Sequence, residues 1–131
     1  MVGTRIFSGS TFEDLAGYAR AVVLPDPGGD WILVSGTTGF DYARMEIDPG
    51  VENQTHQCFA NIAAALGKAE ARLADVVRIH VYLADEADFQ VVAPIVGKYM
   101  GEARPANTTI VAKFVDPRMR IEIEVTARRR A

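Results

Sequence analysis

The chain has 131 residues, the length of one domain with a core of its own. Apolar residues make up 49% and charged residues 24%, and the net charge of -3 gives no electrostatic case for nucleic acid or an anionic membrane surface. No apolar run approaches the roughly 20 residues of a spanning helix, and the N-terminus lacks the basic start and apolar stretch of a secretion signal. The single cysteine, Cys58, has no partner for an internal disulfide, so a cytoplasmic setting is expected.

Thr4 to Phe7 reads as a first strand and Ser8 to Thr11 as a polar turn. Tyr18 to Leu24 alternates weakly and ends at Pro25-Asp26-Pro27-Gly28-Gly29-Asp30, a strong turn cluster; Trp31 to Gly36 completes a hairpin with a long loop. Thr37-Thr38-Gly39 opens a loop running to Pro49-Gly50. Val51, Thr55, Cys58, Phe59, Ile62, Ala65, Leu66 and Ala69 recur at helical spacing, which predicts a helix over 51–71. Val76 to Leu83 reads as a strand with Val77, Ile79, Val81 and Leu83 on its apolar face. Pro94 sits badly inside a helix begun at Asp88, so a short turn over 88–92 and a helix with Pro94 near its first turn are expected, ended by Gly101. Two further strands follow. On 107–114, Thr108, Ile110, Ala112 and Phe114 oppose Asn107, Thr109, Val111 and Lys113. On 119–126, Met119, Ile121, Ile123 and Val125 oppose Arg120, Glu122, Glu124 and Thr126.

The order β-β-β-α-β-α-β-β implies right-handed crossovers and one α+β layer pair, a six-stranded mixed sheet with two helices on one face. By period-2 counting the uncovered face carries Tyr18, Val22, Leu24, Trp31, Leu33, Tyr82 and Val111 beside Arg20, Arg78, His80, Lys113, Arg120, Glu122 and Glu124. That much apolar surface is unusual on a monomer, and packing against copies of itself would place any pocket at an interface.

The chain resembles the reactive-intermediate deaminase (Rid, YjgF) family over nearly its whole length. The resemblance rests on the order and spacing of Gly17-Tyr18, Val34-Ser35-Gly36, Gln57-Cys58-Phe59-Ala60-Asn61-Ile62, Asp75-Val76-Val77-Arg78, Val81-Tyr82-Leu83, Asp88-Phe89, Arg104-Pro105-Ala106 and Ile121-Glu122-Ile123-Glu124. It implies one chorismate-mutase-like α+β domain over 1–131, a homotrimer with a central barrel, and three clefts between subunits. It also implies hydrolysis of reactive enamines or imines, such as 2-aminoacrylate, without metal or organic cofactor. By the same resemblance Tyr18 and Ser35 are cleft residues, Glu122 is the acidic residue near the attacking water, and Thr109 marks a backbone amide lining the cleft. The sequence departs from the family's pattern at Asn107, where active members carry the arginine that clamps the substrate carboxylate, and at Ala93, in place of a cleft asparagine. A guanidinium–carboxylate pair is bidentate and charge-assisted, which asparagine cannot reproduce, so 2-aminoacrylate activity is expected to be weak or absent.

Each candidate has a plainer alternative. Asn107 holds a neutral ligand or caps the strand after Pro105. Arg20 replaces the missing anion clamp or makes an inter-subunit salt bridge; Arg104 is expected to point elsewhere. Glu122 is an acid/base group or part of a structural ion pair, and the Glu122–Glu124 pair is discounted as a sugar-hydrolysis dyad because Arg120 and Lys113 offer partners. His56 and Cys58 do not converge on a helix, and no metal constellation is expected. Gly36-Thr37-Thr38-Gly39 is too short for a phosphate loop and reads as a turn bordering the cleft. Three functions compete: an imine or enamine hydrolase, a non-catalytic small-ligand-binding or scaffold trimer, and ribonuclease or chaperone-like behaviour, the acidic balance arguing against ribonuclease action.

Overall fold

A computed structural model describes residues 1–130. The elements are β1 (Thr4–Ile6), α1 (Thr11–Ala16), β2 (Ala21–Leu24), β3 (Trp31–Thr38), β4 (Phe40–Asp41), β5 (Glu46–Ile47), α2 (Val51–Lys68), β6 (Val76–Leu83), α3 (Phe89–Met100), β7 (Ala106–Val111) and β8 (Ile121–Arg128). Six strands form one sheet in the order β1-β2-β3-β8-β6-β7, and β4 pairs with β5 alone. Only β6 and β7 run parallel, the arrangement a strand–helix–strand crossover through α3 requires. The sequence expectation of a six-stranded mixed sheet therefore holds.

The core lies between the sheet and the two long helices. Phe59, Ile62 and Leu66 of α2 and Val92, Val96 and Met100 of α3 bury against Ile32, Val34, Ile79, Val81, Ile121, Ile123 and Val125. The alternation on β8 is complete: Ile121, Ile123, Val125 and Ala127 are buried, while Glu122, Glu124, Thr126 and Arg128 are half-buried on the other face.

Local chemistry changes three expected elements. The polar turn at Ser8–Thr11 leads into α1, because the Ser10 side chain accepts from the Phe12 amide (3.1 Å) and Gly17 closes the helix in the left-handed region at φ 72°. This delays β2 to Ala21. The third helix starts at Phe89 rather than at Pro94. Asp85 caps the preceding turn through the Ala87 amide (2.9 Å), and Pro94 is exposed, so the Gln90 carbonyl that loses its helical donor lies on the solvent side. The loop after β3 contains the β4–β5 hairpin, with Met45 left-handed at its turn (φ 54°).

The face away from α2 and α3 remains uncovered by the chain. Leu33 and Ile110 are 44% and 49% exposed there. Expectations about this face are corrected at Val111 and Arg120, and at Arg20 below. Val111 pairs with buried Leu83 and so shares the helix side, while Ile110 sits beside Tyr82. Arg120 turns to the helix side, donating to both Asp88 oxygens (2.8 and 3.0 Å). On β6 a bulge between Val76 and Arg78 reverses the alternation, so Val76 is buried and Val77 is 45% exposed.

Candidate functional site

The chemistry collects where β3 departs from regular pairing. Val34 faces Val125 and Thr37 faces Ile123, so Ser35 and Gly36 together span one residue too many for β8 and bulge. The Ser35 hydroxyl donates to the Ala19 carbonyl (2.6 Å), and its amide donates to the Arg20 carbonyl (2.9 Å), tying the bulge to the segment before β2.

Arg20 fixes the other half. Its Nη1 donates to the Gly36 carbonyl (2.8 Å) and to Thr37 Oγ1 (3.3 Å), and its Nε and Nη2 donate to Glu13 Oε2 (3.2 and 3.1 Å). The guanidinium also lies 4.3 Å from the centre of the Tyr42 ring. Glu13 in turn accepts from the Ser8 amide (3.0 Å) and from the Ser8 hydroxyl. Arg20 is 1% exposed. The guanidinium does lie near Tyr18, 5.7 Å from its ring centre, but the expectation that it stands on the uncovered face as an anion clamp or inter-subunit partner is corrected: it is buried and consumed within the chain. The reason is geometric, because residues 18–20 precede β2 and do not alternate as a strand.

The bulge makes room for Glu122. A methyl group on Gly36 would stand 2.9 Å from the Glu122 carboxyl carbon, so glycine is what lets the carboxylate lie against the backbone there. Glu122 has no hydrogen-bond or ion-pair partner among the described residues; neither Arg120 nor Lys113 reaches it. Its neighbour Glu124 instead accepts from the Tyr82 hydroxyl (2.5 Å). Burial pushes the Glu122 carboxyl above the ordinary glutamate range, Glu124 pushes the same way, and Arg20 opposes both. Glu122 borders a hollow of about 500 Å³ with Tyr18, Gly36, Thr38, Tyr42 and Val115. Tyr18 also lines a neighbouring hollow that contains Ser35.

Asn107 and Thr109 lie elsewhere. Asn107 pairs with Ile79 and Thr109 with Val81, both buried, so the two polar side chains occupy the helix side of edge strand β7. The Thr109 hydroxyl donates to Asn107 Oδ1 (2.8 Å). They line a cavity of about 550 Å³ under α3, together with Phe89, Ala93, Arg104 and Met100. Within one chain, then, Tyr18, Ser35 and Glu122 form one group. Asn107 and Thr109 form another, two strands away (about 10 Å) and on the opposite side of the sheet. The sequence reading missed Glu13 and Tyr42: Glu13 lies in α1, where no element is expected beyond the turn at Ser8–Thr11, and Tyr42 follows β4 in the stretch expected to be a loop. It also placed Arg104 away from the cavity it lines.

Cys58 is fully buried, its thiol directed at the Thr37 carbonyl (3.4 Å) and its pKa raised by burial, the setting of an inert core cysteine. Among the described residues no group of three or more His, Cys, Asp or Glu could hold a metal ion, and no helix is long and apolar enough to cross a membrane.

Residues 9–129 match the family described as Endoribonuclease L-PSP. A RutC family protein of Pyrococcus abyssi is 32% identical over 93% of this chain and 94% of its own. A 2-iminobutanoate/2-iminopropanoate deaminase of Dermatophagoides farinae is 23% identical over 86% of this chain and 85% of its own. The crystal structure of a YjgF/YER057c/UK114 family member from Mycobacterium tuberculosis superposes with a TM-score of 0.82 at 33% identity, covering 95% of this chain and 98% of that one. Its chorismate-mutase-like α+β fold is the fold described above. On the extent of these matches, the chain belongs to the YjgF/Rid family, the family that carries the description Endoribonuclease L-PSP.

Proposed function

We propose that this protein hydrolyses small imine or enamine intermediates, with Glu122 as the group that activates water. The observation that carries this is Glu122 itself: a half-buried carboxylate without a donor, with a raised pKa, held beside Tyr18 in the space left by Gly36. A general base is most effective with a pKa near the working pH, and burial moves a glutamate in that direction. In the reaction the Glu122 carboxylate takes a proton from water as its oxygen attacks the imine carbon, and the C=N electron pair moves to nitrogen. Protonation of that nitrogen and collapse of the carbinolamine release ammonia and leave a carbonyl. An enamine enters the same path after tautomerising to the imine.

The two groups of site residues are separate within one chain, and the open sheet face exposes Leu33 and Ile110. Both features fit a homotrimer in which the Glu122 hollow of one subunit meets the Asn107 edge of the next. Light scattering at micromolar concentration is expected to give about three times 14.3 kDa; a stable monomer would remove the cleft. A cytoplasmic location and the lack of a required metal or organic cofactor belong to the same proposal. The family description's ribonuclease activity draws no support from a net charge of -3.

With Asn107 where the family's carboxylate-clamping arginine would stand, 2-aminoacrylate hydrolysis is expected to be weak or absent. Losing a charge-assisted contact costs on the order of 1.5–3 kcal/mol, roughly 10- to 150-fold. The test supplies 2-aminoacrylate from a coupled lyase, and larger imino acids from an amino-acid oxidase, and follows ammonia release. No acceleration with any imino acid would sink the hydrolase reading. A second reading, a ligand-binding trimer without turnover, is favoured by Asn107 and Ala93 lining one cavity together. Saturable binding of 2-oxo acids without turnover would establish it.

A further inference from the structure

The cavity under α3 departs from the close packing of the rest of the layer. Elsewhere the helices press on aliphatic side chains, but β7 offers them Asn107 and Thr109, which are polar and mutually bonded. The gap left between them has a floor of Ile79, Val81, Val92 and Met100, all buried. At about 550 Å³ it falls within the roughly 300–1,000 Å³ of small-molecule sites. A three-carbon imino acid has about six heavy atoms. Even at about 30 Å³ each, the volume per molecule of liquid water, it would fill roughly a third of this space.

Arg104 stands in the same lining, and no other charged residue does. Its backbone is left-handed, at φ 50°, where glycine is favoured, just past the end of α3, and its amide donates to the Met100 carbonyl (2.8 Å). A non-glycine residue in that region costs stability of order 1–3 kcal/mol, and such outliers concentrate at ligand sites. Its side chain is exposed and its guanidinium enters no ion pair among the described residues, so the charge is available to a ligand. A left-handed arginine without an ion pair in the lining of an apolar cavity, two residues before β7 and three before Asn107, is a site for an anion with an apolar body.

We infer that Arg104 is the anion anchor of this chain, and that the cavity takes carboxylates with a branched or aromatic apolar side chain rather than three-carbon acids. This rests on the hydrolase reading for its chemistry, since the imino acids concerned would be turned over at Glu122. It does not rest on that reading for binding. Arg104 supplies the charge, Asn107 and Thr109 supply neutral polar contacts, and the floor holds the side chain. The surplus volume that a small acid would leave to water becomes the source of selectivity for a large one.

Stable 2-oxo acids, which carry C=O in place of C=NH, are the probes. Full-length protein is titrated calorimetrically with 4-methyl-2-oxopentanoate, with phenylpyruvate, with pyruvate, and with the uncharged amide of the first. The two larger acids are expected to bind at least about tenfold more tightly than pyruvate and than the amide. Arg104→Gly suits the left-handed backbone, so its thermal midpoint should equal or exceed the parent's while affinity for the acids falls roughly tenfold or more. Arg104→Lys should recover part of it. Ala93→Leu, which fills the cavity from α3, should weaken the large acids by a larger factor than pyruvate. Equal binding of pyruvate and phenylpyruvate, or unchanged affinity in Arg104→Gly, would overturn the inference. So would an Ala93→Leu protein whose assembly mass changes while its ligand binding does not, since a second copy would then fill the cavity. Binding as expected without ammonia release would retire the hydrolase reading and leave this one standing. Hydrolysis insensitive to Arg104 would do the reverse.

Discussion

The two ends of the candidate site are built on opposite plans. At the β3 bulge most polar groups are committed. Arg20 makes four hydrogen bonds, Glu13 is sealed against it, the Ser35 hydroxyl is bonded to backbone, and among the described residues the Glu122 carboxylate is left without a partner, beside the Tyr18 ring. At the β7 edge the reverse holds: among the described residues the Asn107 and Thr109 side chains bond to each other, the Arg104 guanidinium has no ion pair, and a cavity stands open. A rigid shell around one carboxylate suits a chemical step that is the same for every substrate. A loosely held, roomy edge suits the part of the site that decides which substrate is accepted. Changes at the first end should therefore alter rate or fold, and changes at the second should alter preference.

The largest expected effect is that of Glu122→Gln. Removing the base while keeping the shape should lower imine hydrolysis by about 10²- to 10⁴-fold for all substrates alike. Thermal stability at neutral pH should be unchanged or slightly raised, because a buried carboxylate is replaced by a neutral amide. Loss for some substrates only would break the division between the two ends.

Next comes the shell. Arg20→Met leaves Glu13 buried without its cation, which is expected to cost about 3–5 kcal/mol in chemical denaturation. The double variant Glu13→Gln with Arg20→Met should cost less than Arg20→Met alone, since no uncompensated charge remains. A surface-like loss below about 1 kcal/mol would mean that the pair is not the lock it resembles. Gly36→Ala, with a Cβ 2.9 Å from the Glu122 carboxyl carbon, should cost little stability but about tenfold in rate, by moving the carboxylate.

These residues also mark where the sequence was legible. The β8 alternation and the α2 stripe follow from apolar periodicity, which needs only an unbroken element; the order of strands in the sheet is not read from it. Glu122 was placed correctly on the open face for that reason. Arg20 was misplaced because Gly17 is left-handed and residues 18–20 are not a strand, so counting by twos from Tyr18 carries no information. Val77 failed at a bulge for the same reason. Glu13 was lost because α1 is six residues long, too short for a periodic pattern, and is held by its Ser10 cap and its ion pair. Arg104 was set aside because a residue before proline is disfavoured from helical backbone, and the left-handed alternative is not readable from composition. Periodicity found the layers; the site sits where periodicity is interrupted.

At the adaptable end, Asn107→Arg should raise 2-aminoacrylate hydrolysis, by less than the roughly 10- to 150-fold expected from a fully arranged clamp. The cavity lining supplies no carboxylate among the described residues to hold a guanidinium at 107, Ala93 offers only a methyl group in place of the family's asparagine, and Arg104 lines the same cavity with like charge. Initial rates of variant and parent, with assembly mass checked for both, decide it. The comparison is sharpened if the gain on 2-aminoacrylate is accompanied by weaker acceptance of apolar imino acids. An intact variant with no change in preference would mean that this edge does not set selectivity.

The smallest effect is a pH dependence at the rigid end. The folded-state pKa of Glu122 lies above the ordinary glutamate value, raised by burial first and by Glu124 second. A raised carboxyl favours the protonated form in the folded chain. Its contribution to stability is therefore full below the unfolded glutamate pKa of about 4.3 and is lost as pH rises through the folded value. Glu122→Gln removes this dependence, so the stability of the variant relative to the parent should increase as pH rises from about 4 toward neutrality and then level off. Activity in the parent should run the other way, because the base must be ionised: hydrolysis should fall as pH drops through the same raised pKa. Denaturation midpoints and rates taken on one pH series give two independent readings of one group. If the midpoint difference and the rate titrate together, Glu122 is both the strained carboxylate and the base. If the rate titrates elsewhere, the chemistry belongs to another residue and the rigid end is only a scaffold.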